Sequence, residues 1–166
     1  MRKTNRLAWL LGIFGTLTFI IGMCLMVYSA TIIISDAPLK CTPTPADSLG
    51  PFYVPDAPVR AKVGEGYVLS GTVRSAVDCA AVNGAKIEFW LAGPSDSYDE
   101  DHRATLFADG SGNYRFESNF PPGYGNRSPH IHLRVSAVGF NTLVTQHYLE
   151  AGTSGASFDL VLVPAR

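Results

Sequence analysis

Charge is scarce in this chain. Only 16% of its 166 residues are charged, 13 basic against 14 acidic, and no run of Lys or Arg follows the first six positions. A nucleic-acid surface needs a clustered basic footprint, so that class of partner is excluded. No internal repeat is visible, and behind residue 36 no segment carries the period of an amphipathic helix. Cysteine is limited to three positions and histidine to four. Two of the four histidines nevertheless flank a single Ile, in PPGYGNRSPHIHLRV at 121–135.

Charge is also missing between Arg6 and Asp36, where the apolar run Leu7–Ile34 lies. About 20 residues cross the hydrocarbon layer as a helix, so the run is long enough to span with tilt. Arg2, Lys3 and Arg6 precede it, which places the N-terminus in the cytoplasm and everything after the run outside. A cleaved signal peptide has the same basic start, but its apolar region is about 7 to 15 residues and small residues precede the cut. Tyr28 stands where one of those small residues belongs. The expectation is therefore an uncleaved, single-pass anchor over 1–35. The outer compartment it implies is oxidising, so Cys41 and Cys79 are candidates for a disulfide, with two buried free thiols as the alternative.

Residues 36–60, DAPLKCTPTPADSLGPFYVPDAPVR, hold six Pro. Proline fixes φ and removes an N–H, so this stretch reads as an extended tether laid over something else. From 61 to 166 the pattern changes to short segments rich in β-branched and aromatic residues: YVLSGTVRS, AKIEFWLAG, RATLFAD, NYRFESNF, HIHLRVSAV, TLVTQHYL and SFDLVLVPA. Turn tokens such as NG, DGSGN and AGTSG separate many of them. Seven such strands predict an all-β fold, an antiparallel β-sandwich preceded by one N-terminal transmembrane helix.

In a strand, alternate side chains share a face. His130, His132 and Arg134 lie on one face, and Ile131, Leu133 and Val135 on the other, which goes to the core. Two strand steps separate the imidazoles by about 7 Å at the backbone, close enough for both rings to turn toward one metal ion. An H-x-H pair on an ordinary polar face has the same pattern. The neighbourhood adds a Tyr at 124 behind two Gly, a fixed cation at Arg127, and a phenol at Tyr98 in the polar loop SDSYDEDH.

With those residues in view, the chain resembles the intradiol ring-cleavage dioxygenases, the family of catechol and protocatechuate dioxygenases. The resemblance runs through GPFYVPDAPVR, LSGTVR, GAKIEFWLAG, SYDEDHRATLFADGSGNYRFES, PPGYGNRSPHIH and LVTQHY, from about Gly50 to Leu149. It implies a ferric ion, Fe(III), held by Tyr98, Tyr124, His130 and His132, with Arg127 beside the substrate and Gln146 near the metal. It also implies catechol-type substrates and dioxygen, the ring opening between its two hydroxylated carbons to a muconate-type diacid, and Tyr124 displaced by the incoming substrate. Anionic oxygen donors suit a hard ferric ion, and imidazole is acceptable to it as well. Tyr114 reads as framework.

The sequence departs from the larger members in three places. Tyr124 and His130 are only six positions apart, Leu49 stands where an acid is found, and the helical N-terminal region is absent. A different pocket wall follows from the first departure. Two other readings are compatible with the residues: a membrane-tethered, non-catalytic accessory subunit of a larger membrane complex, and an H-x-H site for copper or zinc. Gly12, Gly15 and Gly22 suit packing of the N-terminal helix against a membrane partner, and self-association is equally open. His102 and His147 read as surface or supporting residues, Trp90 as a core or interface residue, and the Asn126 sequon has no assigned role.

Overall fold

Strands form where β-branched and aromatic residues alternate, and the turn tokens separate them. They are β1 (Tyr67–Ser75), β2 (Lys86–Trp90), β3 (Arg103–Phe107), β4 (Asn113–Ser118), β5 (His130–Ser136), β6 (Leu143–Tyr148), β7 (Gly155–Ser157) and β8 (Leu160–Leu162), with one 3-10 turn at Glu100–His102. This computed structural model of the chain describes residues 38–123 and 126–166. The apolar run read as a membrane anchor and the candidate ligand Tyr124 lie outside the described residues. Among the described residues no helix is long and apolar enough to cross a membrane.

Two sheets result. One has the order β3-β2-β5-β6 and is antiparallel throughout; the other pairs β4 with β1 and sets β7 and β8 along the far side of β1. The last predicted strand departs from expectation. It is two short strands, and both run parallel to β1. Asp159 causes the break: its carboxylate accepts the Thr72 backbone N–H at 2.8 Å and pairs with Arg74 Nε at 3.1 Å, taking the place of a ladder carbonyl. Gly71 makes the crossing possible, because a Cβ there would lie 2.2 Å from the Phe158 carbonyl oxygen.

The core lies between the sheets. Ile87, Phe89, Ile131, Leu133 and Val135 come from one sheet and Leu69, Val73, Phe116, Leu160 and Leu162 from the other, all essentially inaccessible. Phe89 stacks on Phe116 with centroids 4.2 Å apart. Each large apolar side chain buried this way contributes roughly 1.5–3 kcal/mol.

The Pro-rich segment, with Ala61 just after it, acts as a strap that reaches β8, β6, β3 and β4. Thr44 N–H donates to Val161 of β8, Asp47 N–H to Val144 of β6, the Thr105 N–H of β3 donates to Pro58, and the Glu117 N–H of β4 donates to Ala61. Unpaired edges are templates for association with other chains, and scattered bonds from a Pro-rich segment cap them without offering a new edge. Cys41 and Cys79 form a disulfide with Cα atoms 5.5 Å apart, which pins the start of the strap.

Candidate metal centre

The outer face of the β3-β2-β5-β6 sheet carries the polar side chains. Strand register sets Trp90 of β2, His132 of β5 and Gln146 of β6 side by side in one row, with His130 opposite Tyr148 in the next. An exposed polar face is not what forms. His130 and His132 are each only 2% exposed; the strap lies against His132, and the Tyr148 ring lies beside His130. Gly50 is the contact: its φ is +72°, and a Cβ there would come within 3.0 Å of His132 Cε1. A glycine meets both needs, a left-handed backbone and close approach to a ring. Tyr53, three residues on, lies edge-on to Trp90 at 5.1 Å and donates to Glu88 at 3.1 Å.

The two imidazoles face each other, Nε2 to Nε2, at 3.1 Å. Two nitrogens that each bind one ion at about 2.0–2.1 Å, roughly at right angles, lie about 3 Å apart, so the pair is set for chelation. His130 Nδ1 lies 2.7 Å from the Ser128 carbonyl oxygen. A carbonyl only accepts, so Nδ1 carries the proton and Nε2 keeps its lone pair toward His132. Trp90 stacks flat on His132, centroids 4.9 Å apart and planes 9° apart, and holds the plane of that ring. His132 Nδ1 is buried with no hydrogen-bond partner.

Burial is the main reason both rings resist protonation. It pushes His132 down to about 3, with His130 and Arg127 adding to the effect, and it lowers His130 as well, against the opposing pull of the Ser128 carbonyl. Neutral imidazoles, with their two Nε2 atoms brought to one point, are the charge state that a metal needs. Among the described residues no group of three or more His, Cys, Asp or Glu gathers at one place, so further donors of other types are required. Tyr98 is the candidate phenol beside the pair. Its ring is 6.1 Å from His132, edge-on, and stacks on Phe52 of the strap at 4.3 Å. Imidazole nitrogen and phenol oxygen are donor types that a hard transition-metal ion accepts.

Arg127 Nη2 donates to Gln146 Oε1 and to the Tyr148 hydroxyl, both at 2.6 Å. Gln146 in turn donates through Nε2 to the Ser48 carbonyl at 2.8 Å, and Tyr148 donates to Asp47 Oδ2 at 3.0 Å. The structure therefore gathers Tyr98, Gln146 and, through Gln146, Arg127 around the histidine pair. Arg134, the third polar residue of the β5 row, is turned to Glu88 at 2.6 Å and belongs to a separate ion cluster with Lys86.

Other residues fall outside the pair. His102 is bound to Asp99 at 2.6 Å, and His147 to the Tyr67 hydroxyl at 2.7 Å. Tyr114 is 5% exposed and donates to the Phe158 carbonyl oxygen at 2.6 Å, a framework bond across the β7–β8 break. Sequence reasoning did not single out Tyr148, Asp47, Ser48 or Gly50, nor the stack of Trp90 on His132. Tyr148 was within reach, since it shares a strand face with Gln146 two positions earlier. The strap residues carry no periodic signal that would reveal what they cover.

The chain is similar in sequence and fold to known dioxygenases. It is 31% identical over 138 residues to a catechol 1,2-dioxygenase of Candida albicans, covering 60% of this chain and 45% of that protein. It is 27% identical over 164 residues to a chlorocatechol 1,2-dioxygenase of Cupriavidus pinatubonensis, covering 78% and 64%. Among solved structures it superposes on the dioxygenase domain of a dioxygenase and carbohydrate-binding fusion from Streptomyces sp. SirexAA-E, with a TM-score of 0.65 and 25% identity, over 75% of this chain and all of that domain. No family profile matches the chain. The alignments with the two relatives reach 45% and 64% of their lengths.

Proposed function

We propose that the outer domain is a non-haem ferric dioxygenase that opens a catechol-type ring between its two hydroxylated carbons and inserts both atoms of O2, giving a muconate-type diacid. The observation that carries this reading is the pair of buried, neutral imidazoles aimed at one point beneath Gly50, with Tyr98 and the Arg127 network beside them. The likeness to catechol and chlorocatechol dioxygenases supports the same reaction class. Ferric iron held by His130, His132, Tyr98 and Tyr124 would supply Lewis acidity that drains electron density from a bound catechol, so that its ring reacts with O2.

The chain's own residues have separable tasks. Ser128 fixes the tautomer of His130, and Trp90 fixes the plane of His132. Gly50 and its neighbours exclude water from the ring nitrogens. Arg127 holds a permanent positive charge where negative charge builds on the opening ring, and a preoriented cation in a site screened from water lowers the barrier. The disulfide between Cys41 and Cys79 supports an oxidising location, in keeping with a domain displayed outside a membrane by the N-terminal run.

Oxygen uptake by the iron-loaded chain across a panel of catechols tests this. One O2 per ring and a diacid product are expected, with Arg127→Ala slower by about 10²–10³-fold. No uptake with any catechol from a fully iron-loaded protein would leave a non-catalytic tethered subunit as the better reading.

A further inference from the structure

We propose that Tyr148 and Asp47 are positioning residues that aim the Arg127 guanidinium, so that the strap orients the charge used in ring opening as well as covering His132. The proposal rests on the dioxygenase reading for its consequence in turnover, and on the geometry for the contact itself.

Arg127 sits in the loop before β5, whereas the groups that hold its head come from β6 and the strap. Both hydrogens of Nη2 are committed, one to Gln146 Oε1 and one to the Tyr148 hydroxyl. Two acceptors on one nitrogen fix the plane of a guanidinium, because its five donors are rigidly coplanar. Each acceptor is itself oriented from behind. Gln146 spends Nε2 on the Ser48 carbonyl, which turns Oε1 toward Arg127. Of the two acceptors within reach of the Tyr148 hydroxyl, Asp47 Oδ2 at 3.0 Å is nearer than Gln146 Oε1 at 3.3 Å and carries the charge, and donation to it leaves an oxygen lone pair for the guanidinium.

Asp47 is anchored twice. Its carboxylate accepts the Ser48 N–H at 2.6 Å, and its own N–H donates to Val144 of β6 at 2.9 Å. The guanidinium also lies 5.9 Å from the centre of the Tyr148 ring, within reach of the ring's attraction for cations. The chain Asp47, Tyr148, Arg127 therefore runs from the disulfide-pinned strap to the charge beside the histidines. Asp47 is exposed and Tyr148 is 45% exposed, and neither belongs to the core between the sheets, so their loss leaves that core untouched.

Tyr148→Phe removes the acceptor and keeps the ring. Two measurements on the full chain read the result. In metal-free protein labelled with 15N-arginine, the Arg127 side chain of the parent should give slowed, resolved Nη signals, and Tyr148→Phe should average them. In iron-loaded protein, Tyr148→Phe should lower kcat about tenfold with less than a twofold change in KM, the signature of an interaction made in the transition state, while iron content and colour stay unchanged. Asp47→Ala should behave like Tyr148→Phe, and Asp47→Asn should recover most of the rate, because an amide oxygen still accepts from the Tyr148 hydroxyl. Parental kcat and parental Arg127 signals in Tyr148→Phe would overturn the proposal. If the parent turns over no catechol, the dioxygenase reading fails, and the nitrogen signals alone decide whether Tyr148 and Asp47 hold Arg127.

Discussion

The two faces of β5 are equally buried and built on opposite principles. Ile131, Leu133 and Val135 meet the second sheet, whereas His132 meets the strap and His130 the Tyr148 ring, and every one of the five is at most 2% exposed. On the inner face any well-fitting apolar group will serve, because burial is non-directional. On the outer face polar atoms are met by specific partners, Ser128 for His130 and Glu88 for Arg134, and on the neighbouring β6 Ser48 for Gln146, while His132 Nδ1 has none. Apolar burial is concentrated on one side of a single pleated strand and the candidate metal-binding side chains on the other.

Substitutions on the two faces should therefore separate folding from metal binding. Leu133→Ala has the largest expected effect on stability, a loss of about 2–5 kcal/mol in urea unfolding, with the iron-loaded spectrum of the remaining folded protein unchanged. Gly50→Ala should cost only about 1–2 kcal/mol, the penalty of a left-handed backbone, yet weaken iron binding in an equilibrium titration by pressing a methyl against His132. Parental iron affinity in Gly50→Ala would show that the strap does not set the position of the ring.

A smaller effect sharpens the outer face alone. Burial by itself would raise the Glu88 carboxyl, but hydrogen bonds from Lys86 and Arg134 outweigh it and hold the group below the ordinary glutamate value of 4.5. A depressed folded-state value means that the contribution is complete above the ordinary range and is lost as pH falls through the folded value. Stability of the parent should thus fall between pH 5 and the acid limit more steeply than that of Glu88→Gln. Superimposable pH profiles for the two proteins would remove Glu88 from the account.

Much of this arrangement is legible in the chain before any coordinates. The alternation from His130 to Val135 assigns each side chain its face, and the Pro content of 36–60 reads as an extended covering segment. The covering of His132 is not legible, because it arises from Gly50, whose partner lies tens of residues away and leaves no local pattern. The parallel pairing of β7 and β8 is hidden for a similar reason. It depends on one carboxylate, Asp159, capturing the Thr72 N–H across 87 positions. Gln146 is readable through the family resemblance and Tyr148 through its place two positions on along the same strand face, whereas Asp47 emerges only once the strap is seen against β6.

The most direct test of the central claim is titration of the full chain with ferric iron, followed in the visible range. One iron per chain and an intense tyrosinate-to-iron band are expected, weakened by Tyr98→Phe and abolished by His132→Ala while Leu133→Ala retains it. A colourless protein, or a band indifferent to His132→Ala, would contradict the assignment of the outer face of β5 as a metal centre.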